Sequence, residues 1–373
     1  MHPSLPGPTC VMVCRKPFVN VPGGTDSMIG DDRAFPAGDF MTAPSLPPGP
    51  WLVADIGGTN ARFGWLDAGS AAVEHVDTLP AAGHAGPAQA AAAYLQQLAH
   101  RLGSRWRAPR AAAFAVATAV GGDRIEFTNS HWAFSRRETQ RELGLEELLL
   151  LNDFEALALS LPRLHPGQVR AIGSAQGPTS APAALAVIGP GTGLGVAGIV
   201  PSRHGWVAVP GEGGHASLAA GDDFEAALLA AVHRYYAHVS AERLLSGIGL
   251  PVLHAAVADV LGQAAQPLGT EAIVERGLAR QDVVSSRTID TFCDLLGGFA
   301  GNVALTLGAR GGVYIGGGIV PRLGERFFAS RFRERFEAKG RFQGYLQAIP
   351  TALITDTLAA LTGAALALEQ AGR

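Results

Sequence analysis

Two distant segments of one design constrain this chain more than any other feature. Leu52-Val53-Ala54-Asp55-Ile56-Gly57-Gly58-Thr59-Asn60-Ala61-Arg62-Phe63-Gly64 is a short apolar strand, a carboxylate at its end, a glycine turn with a hydroxyl, and a second strand. Downstream, Ala184-Leu185-Ala186-Val187-Ile188 enters Gly189-Pro190-Gly191-Thr192-Gly193-Leu194-Gly195, and Val196-Ala197-Gly198-Ile199-Val200 leaves it. Such turns present backbone N–H groups in a tight curve, which suits phosphate oxygens, and Asp55 stands where a hydrated Mg²⁺ could be held beside them. Taken singly, a Gly-Gly turn between strands is also an ordinary hairpin turn. Neither segment runs at once into a helical period, which argues against a Rossmann G-x-G-x-x-G turn. Neither holds the Gly-Lys-Ser/Thr of a Walker loop. Two separate phosphate-gripping hairpins imply two related domains closing on one nucleotide.

A third glycine cluster, Gly316-Gly317-Gly318, follows the apolar stretch Gly312-Val313-Tyr314-Ile315. Without Cβ atoms it would let a nucleoside approach the backbone closely. The chain has 373 residues, 47% of them hydrophobic, enough for about two domains with sizeable cores. A formal net charge of -3 gives no electrostatic case for nucleic acid or an anionic membrane surface. No uninterrupted apolar stretch is long enough to span a bilayer. Cys10, Cys14 and Cys293 make no disulfide framework, and no second Cys or His pair accompanies Cys10 and Cys14 at zinc spacing. The expectation is a soluble, cytoplasmic protein.

Residues 1–48 are rich in Pro and Gly and lack periodicity. They show no basic region followed by a long apolar one, so no secretory signal is indicated. A disordered extension is expected there, with Met28 and Met41 as alternative start sites. Further on, strands are predicted over 51–56, 60–67, 72–78, 112–118 and 124–128, and a helix over 86–102. The run Glu147-Leu148-Leu149-Leu150-Leu151 reads as a buried strand ending at Asn152-Asp153, and a helix follows to Leu159. A surface loop is expected over 173–182. Asp222 and Glu225 have capping-box spacing for a helix running to about Tyr236. Over 286–308, Ile289, Phe292, Leu296, Phe299, Val303 and Leu307 repeat at helical intervals, and 358–368 reads as a terminal helix. Strands alternating with helices make this an α/β chain with an early meander of strands.

Candidate chemistry clusters at four places. A carboxylate at a strand's carboxyl end often faces the ligand crevice of an α/β protein, which would make Asp153 a general base for a substrate hydroxyl. Asp153 would also serve as a cap for the following helix. In Pro210-Gly211-Glu212-Gly213-Gly214-His215, Glu212 and His215 lie three apart across a glycine turn. A carboxylate and an imidazole suit adjacent sugar hydroxyls; the plainer reading is a surface turn, and one Glu with one His is too few ligands for a metal. Glu242, in Ser240-Ala241-Glu242-Arg243-Leu244-Leu245-Ser246-Gly247, is by itself an exposed helical glutamate. Asn129, in Thr128-Asn129-Ser130-His131-Trp132, could serve hydroxyls or belong to an ordinary polar turn.

Together these segments resemble the bacterial glucokinase family. Asp55 to Arg62 resembles its first phosphate motif, and Pro190 to Gly195 its second phosphate loop. Thr128-Asn129 with Trp132-Ala133-Phe134-Ser135 resembles a substrate-side motif. Leu151-Asn152-Asp153-Phe154 matches the stretch that carries the catalytic aspartate. Pro210 to His215 and Glu242 to Gly247 resemble the sugar-binding segments. Gly317-Gly318-Ile319-Val320-Pro321 resembles the adenosine-side motif, and Phe336 to Pro350 fits the family's late segment. The likeness runs in order from about residue 51 to the C-terminus. It gives the 48-residue front extension no role, and the chain lacks the Cys-rich zinc motif of the related sugar kinases and repressors.

The resemblance implies a two-lobed, actin-like (ribonuclease H-like) ATPase fold with the active site in the cleft between domains. The expected division is a small domain of 49–163 plus 353–373 and a large domain of 164–352. The resemblance further implies ATP as donor, glucose as acceptor and glucose 6-phosphate as product. Asp153 would be the base for the sugar 6-hydroxyl. Asn129, Asn152, Glu212, His215 and Glu242 would bind sugar hydroxyls. Ala54, Asp55, Ile56, Gly57, Gly58, Thr59, Asn60, Gly191, Thr192 and Gly193 would surround the phosphates, with Mg²⁺ held by Asp55 through water. Gly317 and Gly318 would lie near the adenosine. The family suggests a homodimer, and neither nucleic acid nor membrane is an expected partner. A kinase for another hexose would share the phosphate hairpins and differ only in its sugar pocket. A non-catalytic sugar-sensing regulator would need a DNA-binding segment, and residues 1–48 carry neither a helix-turn-helix pattern nor a basic cluster. Actin-like filament or chaperone ATPases share the phosphate grip without evident need of Glu212 and His215.

Overall fold

The first apolar run becomes β1 (Trp51–Ile56), and the glycine turn folds β2 (Asn60–Leu66) back against it in antiparallel register. β3 (Glu74–Pro80) continues the meander, two residues later than the sequence pattern placed it. β4 (Ala111–Val116) then lies parallel to β1. A small hairpin of β5 (Arg124–Glu126) and β6 (Ala133–Ser135) stands apart, and β7 (Glu147–Asn152) joins β4 in parallel. The sheet order is β3-β2-β1-β4-β7. A computed structural model supplies these coordinates; it describes residues 49–67, 70, 72–127, 131–173, 182–264 and 266–372. The front extension, Asn129 and most of the 173–182 segment lie outside the described residues.

The second sheet repeats the theme. β8 (Val169–Ala171) is an edge, β9 (Leu185–Pro190) and β10 (Leu194–Ser202) form the second glycine hairpin, and β11 (Gly205–Gly211) extends it. β12 (Gly312–Ile315) runs parallel to β9, and β13 (Thr351–Ile354) parallel to β12, giving the order β11-β10-β9-β12-β13-β8.

Strand periodicity decides which residues face which layer. Leu52, Ala54 and Ile56 pack with Phe63, Tyr94 and Leu98 beneath the helix Pro87–Leu102. Val53 faces the other way, in a cluster shared with Ala113, Ala115, Leu185 and Val187 from both sheets. That cluster is filled by two helices, Asp153–Ser160 and the C-terminal Ala359–Ala371, which therefore form the layer between the sheets. Asp55 is on the Val53 face by the same alternation, toward the layer whose first helix begins with Asp153. The two helices cross closely: a Cβ on Gly363 would stand 1.6 Å from the Ala156 carbonyl oxygen.

On the far side of the second sheet, Ala186 and Ile188 pack against the long helix Val283–Leu307, which carries Ile289, Phe292, Leu296 and Phe299 as its pattern requires. The helix after Asp222 ends at His233 and not near Tyr236. Its capping box is also only half formed. Asp222 accepts the Glu225 N–H at 2.9 Å, but the Glu225 side chain accepts the Gly221 N–H at 2.6 Å and pairs with Arg335 at 2.7 Å. A buried glutamate gains more from a guanidinium than from its own helix cap. Among the described residues, no helix is long and apolar enough to cross a membrane.

Candidate active site

The first bend is closed by the Gly57 N–H donating to the Asn60 carbonyl at 2.9 Å, and Thr59 stands exposed at its tip. Antiparallel register sets Arg62 opposite Asp55, and Arg62 Nη1 lies 3.0 Å from Asp55 Oδ2. Burial pushes the Asp55 carboxyl above its ordinary value, against the pull of the Arg62 guanidinium.

β7 ends at Asn152, and the helix Asp153–Ser160 starts at once. Its cap is Asn152, whose Oδ1 accepts the Phe154 N–H at 2.9 Å, while Glu155 reaches back to the Asn152 N–H at 3.4 Å. Asn152 Nδ2 donates to the Thr118 carbonyl at 3.2 Å, which leaves one amide hydrogen and one lone pair for a ligand. Because Asn152 does the capping, Asp153 is free to project as the first helical residue; its Oδ1 shares the Phe154 N–H at 3.0 Å. Burial pushes the Asp153 carboxyl up to about 6, opposed by that N–H and assisted by the negative charge of Asp55. A carboxyl so tuned is ionised at neutral pH yet basic enough to take a proton.

The second bend is a tighter object. Gly191 N–H donates to the Gly193 carbonyl at 2.9 Å, and the turn-rich segment after Ser240 docks on it through Gly247 N–H to Gly191 O at 2.8 Å. From that segment Glu242 Oε2 accepts the Leu194 N–H at 2.9 Å. Gly193 makes room for this, since a Cβ there would stand 2.5 Å from Glu242 Oε2. The other oxygen, Oε1, lies 3.9 Å from His215 Nε2. Glu242 is thus not an exposed residue on a helix; it is mostly covered and lies in an irregular turn. Glu212 is exposed and bridges to Val196 on β10 through the backbone. His215, Glu242 and the second bend are therefore neighbours, with Glu212 at the rim.

Asp55 and Arg62, which flank the first bend, and the third glycine cluster line one cavity of about 480 Å³. Its lining includes Asp55, Arg62, Asp153, Phe154 and Leu157 together with Gly316, Gly317 and Gly318. Gly317 has φ +75°, and a Cβ there would meet the Pro190 carbonyl at 2.4 Å, so the third cluster lies directly on the second hairpin. Gly318 and Gly191 have nothing within 4 Å of a built Cβ and are open for a ligand to approach. A wall from Leu353 to Ala360 completes the cavity. The sequence assigned no role to this wall, nor to Arg62. The wall carries no polar signature beyond Thr355, Asp356 and Thr357, whereas the Arg62–Asp55 pairing follows from the register of a short hairpin.

The order of these parts along the chain matches a known family. The Glucokinase family model covers residues 52–371. This chain belongs to the glucokinase family. It is 48% identical to the glucokinase of Aromatoleum aromaticum over 86% of this chain and 95% of that protein. It is 46% identical to the glucokinase of Neisseria meningitidis, again over 86% of this chain and 95% of that protein. Its fold superposes on the crystal structure of a glucokinase from an Antarctic psychrotroph with a TM-score of 0.79 and 38% identity, covering 86% of this chain and 98% of that one. A glucokinase of the ROK family from Streptomyces griseus, solved with glucose and AMPPNP, is 19% identical with a TM-score of 0.52 over 85% of this chain and 98% of that one, a likeness of fold. The glucokinase family thus spans both sheets, both glycine hairpins and the C-terminal helix.

Proposed function

We propose that this chain is a glucokinase, transferring the γ-phosphoryl group of ATP to the 6-hydroxyl of D-glucose in a cleft between the lobes of an actin-like fold. The lobes are the first sheet with the C-terminal helix (49–163 plus 353–373) and the second sheet with its helices (164–352); β13 itself runs to Ile354. Glucokinase relatives 46–48% identical over at least 84% of this chain and 95% of their own length support the activity. The observation that carries the mechanism is the Asp153 carboxyl, pushed up to about 6, in one cavity with Asp55, Arg62 and the third glycine cluster.

The residues present fit ATP and Mg²⁺. Two desolvated carboxylates sharing one cavity, with Arg62 paired to Asp55 alone, favour a dication, and the third glycine cluster lets a nucleoside approach the backbone. When bound, ATP supplies the phosphoryl group, and Mg²⁺ offsets its charge. Asp55 would hold the metal through water, with Ala54 and Ile56 to Asn60 and Gly191 to Gly193 around the phosphates and Gly317 and Gly318 beside the adenosine. Asn129, Asn152, Glu212, His215 and Glu242 would orient the sugar. Asp153 then accepts the 6-hydroxyl proton as that oxygen attacks, a contribution of about 10²–10⁴ in rate. Alignment and exclusion of water supply the rest. Glucose and ATP are cytoplasmic metabolites, and the enzyme would work there.

Coupled ADP release with glucose, fructose, mannose, an N-acetylated hexosamine and no sugar tests this reading. The expected result is glucose-dependent turnover with glucose highest in kcat/KM. No glucose-dependent ADP release, or a tenfold preference for another hexose, would overturn it.

A further inference from the structure

The residue after Asp153 lies on the second hairpin in a way that only glycine allows. Gly189 and Gly195 are cross-strand partners in β9 and β10, at the stem of the bend. A Cβ on Gly189 would stand 2.3 Å from Phe154 Cζ, and one on Gly195 would stand 2.1 Å from Phe154 Cδ2 and Cε2. Neither glycine has a positive φ. Backbone conformation therefore does not require glycine at either position, and the ring does. The Phe154 backbone is itself fixed, because its N–H is held by both Asn152 and Asp153. The same residue lines the cavity that Asp153 and the third glycine cluster also line.

We propose that Phe154 is a positioning residue whose ring, seated on the Gly189–Gly195 pair, sets the distance between the Asp153 carboxylate and the second phosphate bend. The chain of contact is short and stiff: bend, paired strand stem, aromatic ring, helix start, base. An aromatic ring on two glycines has little freedom to slide, and packed cores resist even small displacements. Misplacing a reacting group by about 1 Å lowers rate by about 10²-fold. The proposal rests on Asp153 being the general base.

The test is a double-mutant cycle in the full chain, with Gly195→Ala, Phe154→Leu and the double variant, alongside Phe154→Tyr and Asp153→Asn. Each is measured for kcat, KM for glucose and melting temperature. A ring that only fills space would move melting temperature and leave the kinetics of the folded fraction intact. Positioning predicts that Gly195→Ala loses roughly 10- to 100-fold in kcat with glucose KM within about twofold, because its Cβ displaces the ring. Phe154→Leu loses about tenfold, and the double variant loses far less than the product of the two, since the smaller side chain accommodates the new Cβ. Phe154→Tyr keeps the ring and stays within about threefold of the parent. Should Gly195→Ala fail to fold, the contrast between Phe154→Leu and Phe154→Tyr in kcat decides alone. Parental kcat in folded Gly195→Ala and Phe154→Leu, losses confined to KM, or strict multiplicativity in the double variant would each overturn the proposal while Asp153→Asn remained impaired. Near-normal turnover in Asp153→Asn would instead remove the base, and the proposal with it.

Discussion

A hydrogen bond between Leu194 and Glu242 ties the turn-rich segment after Ser240 to the second glycine bend. Glu242 Oε2 accepts the Leu194 N–H at 2.9 Å, immediately after the Gly193 turn, while its Oε1 faces His215 at 3.9 Å. One carboxylate thus braces the second bend and presents its other oxygen to the segment expected to hold sugar.

Two substitutions separate these duties. Glu242→Gln keeps an oxygen for Leu194 but loses the charge offered to a sugar hydroxyl. It should raise the glucose KM by roughly 10- to 100-fold and leave the ATP KM near the parent's. Glu242→Ala leaves the Leu194 N–H without its acceptor as well, so both KM values should rise. Equal effects on ATP in the two variants would break the link between Glu242 and the bend.

Asp55 shares its cavity with Asp153 and touches one cation, Arg62, at 3.0 Å. Asp55→Asn removes the charge that would attract Mg²⁺, and the Mg²⁺ concentration for half-maximal rate should rise by about tenfold. A Mg²⁺ titration matching the parent's would count against Asp55 as its holder.

The helix crossing predicts a stability defect far from the chemistry. Gly363→Ala places a methyl 1.6 Å from the Ala156 carbonyl oxygen, so the helices Asp153–Ser160 and Ala359–Ala371 must separate. Overpacking of this kind costs about 1–3 kcal/mol or more. Because the first helix carries Asp153 at its start, kcat should fall as well. A melting temperature unchanged from the parent's would show that the crossing has slack.

Asp153 also penalises the fold that uses it. Its folded-state carboxyl is pushed up to about 6, above the ordinary value of 3.8 for an aspartate, so the folded chain holds that proton more tightly than the unfolded chain. The penalty is absent below about pH 4, grows between 4 and 6, and is fully present above 6. Asp153→Asn should therefore stabilise the protein at pH 7.5 by on the order of 1–3 kcal/mol and leave it nearly unchanged at pH 4. Chemical denaturation at the two pH values checks this; equal stability of variant and parent at pH 7.5 would contradict the burial that raises the carboxyl.

The strand–turn–strand hairpins were legible because apolar runs and glycine turns declare themselves within a dozen residues. β1 falls on 51–56 as the pattern predicts, and the long helix emerges from its 3.6-residue spacing. The meeting of distant parts was not legible. Glu242 sits in an irregular turn whose shape comes from docking on Gly191, so its own sequence resembles a helical glutamate. The Phe154–Gly195 contact joins two layers, and its only local trace is a glycine in a strand that needs no positive φ. The Leu353–Ala360 wall is mostly apolar and looks like core until the cavity is seen.

The central claim is that Asp153 takes the proton from the sugar, and the pH dependence of kcat/KM for glucose in the parent and in Asp153→Asn tests it most directly. The account predicts a parent profile that rises with pH through about 6, the carboxyl's own value, and a variant lower by roughly 10²–10⁴ without that limb. A variant that turns over at near-parental rate, or that keeps the same acidic limb, would contradict it.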